Sequence, residues 1–106
     1  MRKLLSIAGL ALLAFTTQAR ADSIDGAWCQ EAGKRLTISG PSIVTPGGTR
    51  MQGLYDRHGF TYTVPAGEPG AGGTVDMRLL GEHDMESRAG ANGPIEHWRR
   101  CGPATS

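Results

Sequence analysis

Three histidines, a run of alternating carboxylates, two cysteines and one glycine-rich stretch are the groups in this chain that could do chemistry. His58, His83 and His97 could converge on a transition metal, because neutral imidazole is a common ligand. No pair of them has an H-x-H or H-x-x-x-H spacing, and His58 and His83 are expected in solvated turns. Glu82, Asp84 and Glu86 recur at every second residue, which on a strand would line three carboxylates along one edge. A calcium loop needs a tighter arrangement with a glycine and carbonyl ligands. Glycoside hydrolysis needs two carboxylates facing each other across a cleft. Neither pattern is present, so a solvated strand face is expected, with no metal and no other cofactor.

The longest irregular stretch is Pro65-Ala66-Gly67-Glu68-Pro69-Gly70-Ala71-Gly72-Gly73. Its glycines are not followed by Lys-Ser or Lys-Thr, and no strand-to-helix context surrounds them, so it is not a phosphate cradle. A long loop on a small scaffold is a natural place for partner contact. Glu68 and Pro69 are therefore candidate contact residues, together with Arg57 and His58 in a second predicted turn. No Ser, Thr or Cys has the neighbours that would activate it as a nucleophile. No catalytic residue is assigned, and the chain is not expected to be an enzyme.

The cysteines, Cys29 and Cys101, acquire meaning from the N-terminus. Arg2 and Lys3 precede a twelve-residue apolar run, Leu4 to Phe15, and Ala19-Arg20-Ala21 has the small-x-small form of a cleavage site. A run this short does not span about 30 Å of hydrocarbon, for which about 20 residues are wanted. The expectation is a signal peptide over 1–21, cleaved after Ala21, and a single small domain over 22–106 that is not inserted in a membrane. Subtracting 21 from 106 leaves 85 residues, too few for two cores. Removing Arg2, Lys3 and Arg20 leaves eight basic against ten acidic side chains, so the formal charge moves from +1 to −2. A mildly acidic domain without a basic run offers nothing to nucleic acid. The expected location is periplasmic or secreted, the expected state a monomer.

In such a compartment two distant cysteines are expected to pair. There is no C-x-x-C, which argues against a redox couple. A Cys29–Cys101 bridge closes a loop of about 72 residues, worth roughly 4 kcal/mol in the chain-entropy model. For a core this small, that is a large share of the net stability.

The elements that must position these groups are short strands. Gly and Pro make up 21 of the 85 residues after position 21, which favours turns over long helices. The predicted strands are 26–30, 35–39, 43–45, 51–55, 60–64, 75–80, 84–89 and 95–101. Leu36 and Ile38 share one face. A turn at 56–59 sets Tyr55 opposite Phe60, Gly53 opposite Tyr62 and Met51 opposite Val64, with Gly53 making room for an aromatic ring. In the next hairpin Leu79 meets Met85 and Val75 meets Ala89. On its other face Arg78 meets Glu86 and Asp76 meets Arg88. Apolar and charged pairs agree on one register, and a one-residue slip would lose both. About eight consecutive antiparallel strands make an all-β, up-and-down barrel, which removes the open edges of a meander. A two-sheet β-sandwich is the alternative.

Gly26-Ala27-Trp28 at the start of the first strand resembles the G-x-W motif of the calycin barrels, the lipocalins and their relatives. That resemblance implies a barrel in which an Arg of the last strand, here Arg99 or Arg100, packs over the tryptophan. Secreted bacterial inhibitors of metalloproteases and of lysozyme are similar in outline, with a signal peptide, an eight-stranded barrel and a disulfide, but no motif of either inhibitor family is present. Strands this short argue against a deep ligand cup. The expected function is a non-catalytic binding module of the cell envelope, with a protein or small-molecule partner. The alternative is a protein inhibitor of a secreted hydrolase, a protease or a lysozyme, acting through the 65–73 loop or the 57–58 turn.

Overall fold

The computed structural model describes residues 23–102, and the expected signal peptide lies outside them. Nine strands follow in chain order: β1 (Gly26–Cys29), β2 (Arg35–Ser39), β3 (Ser42–Val44), β4 (Arg50–Gln52), β5 (Leu54–Asp56), β6 (Gly59–Thr63), β7 (Thr74–Leu79), β8 (Asp84–Ala89) and β9 (Ile95–Arg100). All pairings are antiparallel, in the order β4-β3-β2-β1-β9-β8-β7-β6-β5. Each strand therefore pairs with its neighbours in sequence, β4 with β5 excepted, and the first pairs with the last. The result is a nearly closed up-and-down barrel rather than a sandwich.

The one interruption falls between β4 and β5, and Gly53 causes it. The expected continuous strand over 51–55 breaks there. Met51 pairs with Ile43 instead of Val64, and β5 pairs with β6 only through Leu54–Thr61, Tyr55–Phe60 and Asp56–Gly59. The Tyr55–Phe60 pairing is as expected; Gly53–Tyr62 and Met51–Val64 are not formed. Gly53 N–H turns instead to Pro41 O at 2.9 Å. A Cβ at position 53 would lie 2.5 Å from the Phe60 ring and 2.5 Å from Thr61 O. The glycine does accommodate an aromatic ring, but by letting the chain bend around Phe60 and change partners. Nine strands thus replace the expected eight.

The β7–β8 hairpin has the expected register throughout, including Leu79–Met85, Arg78–Glu86, Asp76–Arg88 and Val75–Ala89. Arg78 Nη2 reaches Glu86 at 3.0 Å. Asp76 and Arg88 stand opposite each other but spend their polar atoms elsewhere: Asp76 accepts from Thr61 Oγ1 at 2.7 Å and Arg88 donates to Ala91 O at 3.1 Å.

Alternation puts Trp28, Leu36, Ile38, Ile43, Phe60, Tyr62, Met77, Met85 and Trp98 inside, with Val75 and Leu79 partly buried against them. Cys29 points the other way from Trp28, and the Cys29–Cys101 disulfide lies on the outer wall with Cα atoms 5.1 Å apart. It staples the junction of β1 and β9, where Trp28 pairs with Arg100 and Cys29 with Arg99.

Candidate ligand-binding site

The two ends of the barrel differ. One is sealed by residues 23–25. Ile24 is fully buried, and its N–H is held by Arg57 O at 2.8 Å while its carbonyl accepts from Trp28 Nε1 at 2.9 Å. Arg100 lies over the Trp28 ring, its Cζ 4.2 Å from the centroid, and donates to Ser23 O, Asp25 O and Glu82 O. Of the two arginines offered by the sequence, Arg100 is thus the one over the tryptophan. Arg99 faces outward toward Asp84. The Asp25 carboxylate accepts from Ser23 Oγ, Gly40 N–H and Tyr55 Oη. That last bond is the first cause of the raised Tyr55 pKa, because the hydroxyl must keep its proton to donate to the carboxylate.

The other end is open and holds a cavity of about 580 Å³. Hollows of about 620–870 Å³ elsewhere on the barrel are shallower, so it is enclosure and not volume that sets this one apart as a small-molecule site. Leu36, Val64, Met77 and Trp98 give it apolar walls. They come from β2, β7, β9 and the end of β6, since inward positions near one end of each strand converge on the same space. The short strands do not preclude a cup: the large side chains Trp28, Phe60, Ile24 and Met85 are fully or almost fully buried, whereas the opposite end is left unfilled.

Two buried hydroxyls belong to this cavity. Ser87 is 5 % exposed and accepts a hydrogen bond from Trp98 Nε1 at 3.0 Å, which leaves its own O–H to give. Tyr62 is 6 % exposed, and its hydroxyl bonds to no protein group among the described residues. Burial, and then the negative charges of Glu68 and Glu96, push its pKa up to about 12, so the phenol keeps its proton at physiological pH.

The rim is charged. Glu96 takes Gln30 Nε2 at 3.0 Å and Lys34 Nζ at 3.5 Å. Glu68 reaches from the 65–73 loop to the turn between β3 and β4, where it accepts from Thr45 Oγ1 at 2.6 Å, Thr49 Oγ1 at 2.7 Å and Gly47 N–H at 3.3 Å. These donors favour the carboxylate and lower its pKa, Thr45 first and Thr49 next. Gly47 allows the close approach, for a Cβ there would fall 2.3 Å from the Glu68 carboxyl carbon. The loop is further tied by Val64 N–H to Gly73 O and Gly72 N–H to Val64 O. It is therefore a braced wall of the cavity, with Pro69 beside Glu68 in the lining.

The four residues proposed for partner contact fall at opposite ends. Arg57 and His58 precede β6, on the sealed side, and Glu68 and Pro69 follow it, on the open side. No single surface joins them. His58 and His83 occupy turns at the sealed end, and no group of three or more His, Cys, Asp or Glu side chains suited to a metal occurs among the described residues. Glu82, Asp84 and Glu86 lie near His83, Arg99 and Arg78 respectively. Sequence reasoning did not single out Ser87, Trp98 or the cavity. The only signal was alternation, which places Ser87 on the same face as Met85. Comparisons of the chain with family models, with curated proteins and with solved structures return no match.

Proposed function

We propose that this protein is a non-catalytic binding module, exported to the periplasm or beyond the cell, which holds a small molecule in the open end of its barrel. The observation that carries this reading is the cavity itself, with apolar walls and buried hydroxyls at one end of an otherwise filled barrel. The Cys29–Cys101 disulfide fits an oxidising compartment. Gly26-Ala27-Trp28 with Arg100 stacked on the tryptophan supports reading the chain as a short calycin-like barrel. Native mass spectrometry of protein recovered from its exported fraction tests the reading. A non-covalent small-molecule adduct that disappears on denaturation is expected. Protein that is uniformly free of adduct, and takes none up from an envelope extract, would count against it.

A second reading, inhibition of a secreted hydrolase, draws support from the bracing of the 65–73 loop by Glu68, because a pre-organised loop loses little entropy on docking. Capture of a hydrolase whose activity falls on binding would favour it over the first.

A further inference from the structure

Given the binding function proposed above, the chemistry of the cavity narrows the ligand class. Tyr62 and Ser87 are both more than nine-tenths buried yet line the open cavity, so each hydroxyl can give its proton to water or to a ligand that displaces it. Ser87 Oγ accepts from Trp98 Nε1, which leaves its O–H free to give to a group in the cavity, beside a second lone pair. The phenol of Tyr62 stays protonated and has no protein acceptor among the described residues. The site therefore presents two hydroxyls, Tyr62 nearer the mouth and Ser87 one layer below it, with apolar surface around them.

Charge at the rim selects further. Glu68 and Glu96 both line the cavity, and the one cation among the lining residues, Lys34, already faces Glu96. An anionic headgroup entering here would meet a net negative mouth. The apolar body of the ligand would rest on Leu36, Val64, Met77 and Trp98.

We propose that the cavity takes an uncharged, largely apolar molecule carrying a hydrogen-bond-accepting oxygen, such as a ketone, ester or ether, which receives the Tyr62 and Ser87 hydroxyls. The class excludes free carboxylates.

Three probes of nearly one shape separate the contributions: benzophenone with its carbonyl, diphenylmethane without it, and 4-benzoylbenzoate with the carbonyl and a negative charge. Their dissociation constants for the disulfide-bonded domain are measured by nuclear magnetic resonance titration. Benzophenone is expected to bind about tenfold tighter than diphenylmethane, the worth of one or two neutral hydrogen bonds, and tighter than 4-benzoylbenzoate. Tyr62→Phe and Ser87→Ala should each narrow the gap between benzophenone and diphenylmethane. The wild-type comparison stands even if a variant fails to fold. Equal binding of benzophenone and diphenylmethane would overturn the role of the hydroxyls, and tighter binding of 4-benzoylbenzoate would overturn the uncharged class. Failure of all three to bind would instead remove the cavity reading on which the inference rests.

Discussion

Arg100 lies across the face of Trp28 with its guanidinium carbon 4.2 Å from the ring centroid, while its nitrogens reach the carbonyls of Ser23, Asp25 and Glu82. One side chain from the last strand thereby caps the first strand's tryptophan and fastens the segment that seals the barrel. The planar fork of arginine suits this combination of stacking and several divergent carbonyls, and the point charge of lysine does not. Arg100→Lys should cost about 2 kcal/mol, the scale of hydrogen bonds to a charged group. In a domain this small that lowers the melting temperature by about 10 °C. A melting curve unchanged by Arg100→Lys would contradict the structural role.

Gly26 serves the same cap. Its φ is +124°, and a Cβ there would lie 2.6 Å from Arg100 Nη1. Gly26→Ala should destabilise the domain both through backbone strain and by displacing the guanidinium. Urea unfolding should place the midpoint below wild type, with the Trp28 environment altered in near-ultraviolet circular dichroism.

The disulfide holds the same β1–β9 junction from outside. A Cys29→Ser, Cys101→Ser double variant should lose about 4 kcal/mol by the chain-entropy estimate, enough to leave much of the population unfolded at physiological temperature. Equal urea midpoints for the variant and the oxidised protein would argue that the hydrogen-bonded junction suffices alone.

Gly53→Ala should destabilise by about 1–3 kcal/mol, the usual cost of overpacking. The added methyl has no room beside Phe60 and Thr61 O. Chemical denaturation tests this; a neutral effect would show that the bend between β4 and β5 can relax.

Glu68 makes the open end sensitive to acid. Its pKa is lowered in the folded state because Thr45, Thr49 and Gly47 donate to the carboxylate. A group with a depressed folded pKa adds stability above its unfolded value, here the ordinary 4.5, and loses it as pH falls through the folded value. Glu68→Gln should therefore be less stable than wild type at neutral pH, and the difference should vanish in acid. A pH titration followed at the Gly47 and Thr49 amides should show a midpoint below 4.5; one at or above that value would mean the clasp does not favour the carboxylate.

The barrel was legible wherever two independent patterns agreed. In the β7–β8 hairpin, apolar and charged residues both demanded one register, and that register is formed. At 51–55 only a two-residue period was available. That period is blind to a glycine where the strand bends and exchanges one neighbour for another, so two of three expected pairs are absent. The cavity was less legible still. Ser87 and Trp98 meet across β8 and β9, and Glu68 meets Thr45 from 23 residues away. Such contacts follow from closing the barrel and leave no local mark in the chain. Arg100 was accessible only as one of two neighbours, and strand alternation decides between them, since Trp98 and Arg100 share the inner face.

The most direct test of the central claim is the location of a bound small molecule. Amide chemical shifts of the disulfide-bonded domain, followed while benzophenone is added, should change at Val64, Thr74, Ala89 and Glu96 around the open end. They should stay still at Ile24, Gly40 and His83 around the sealed end. Changes centred on the sealed end, or scattered over the outer wall, would contradict the assignment of the cavity as the binding site.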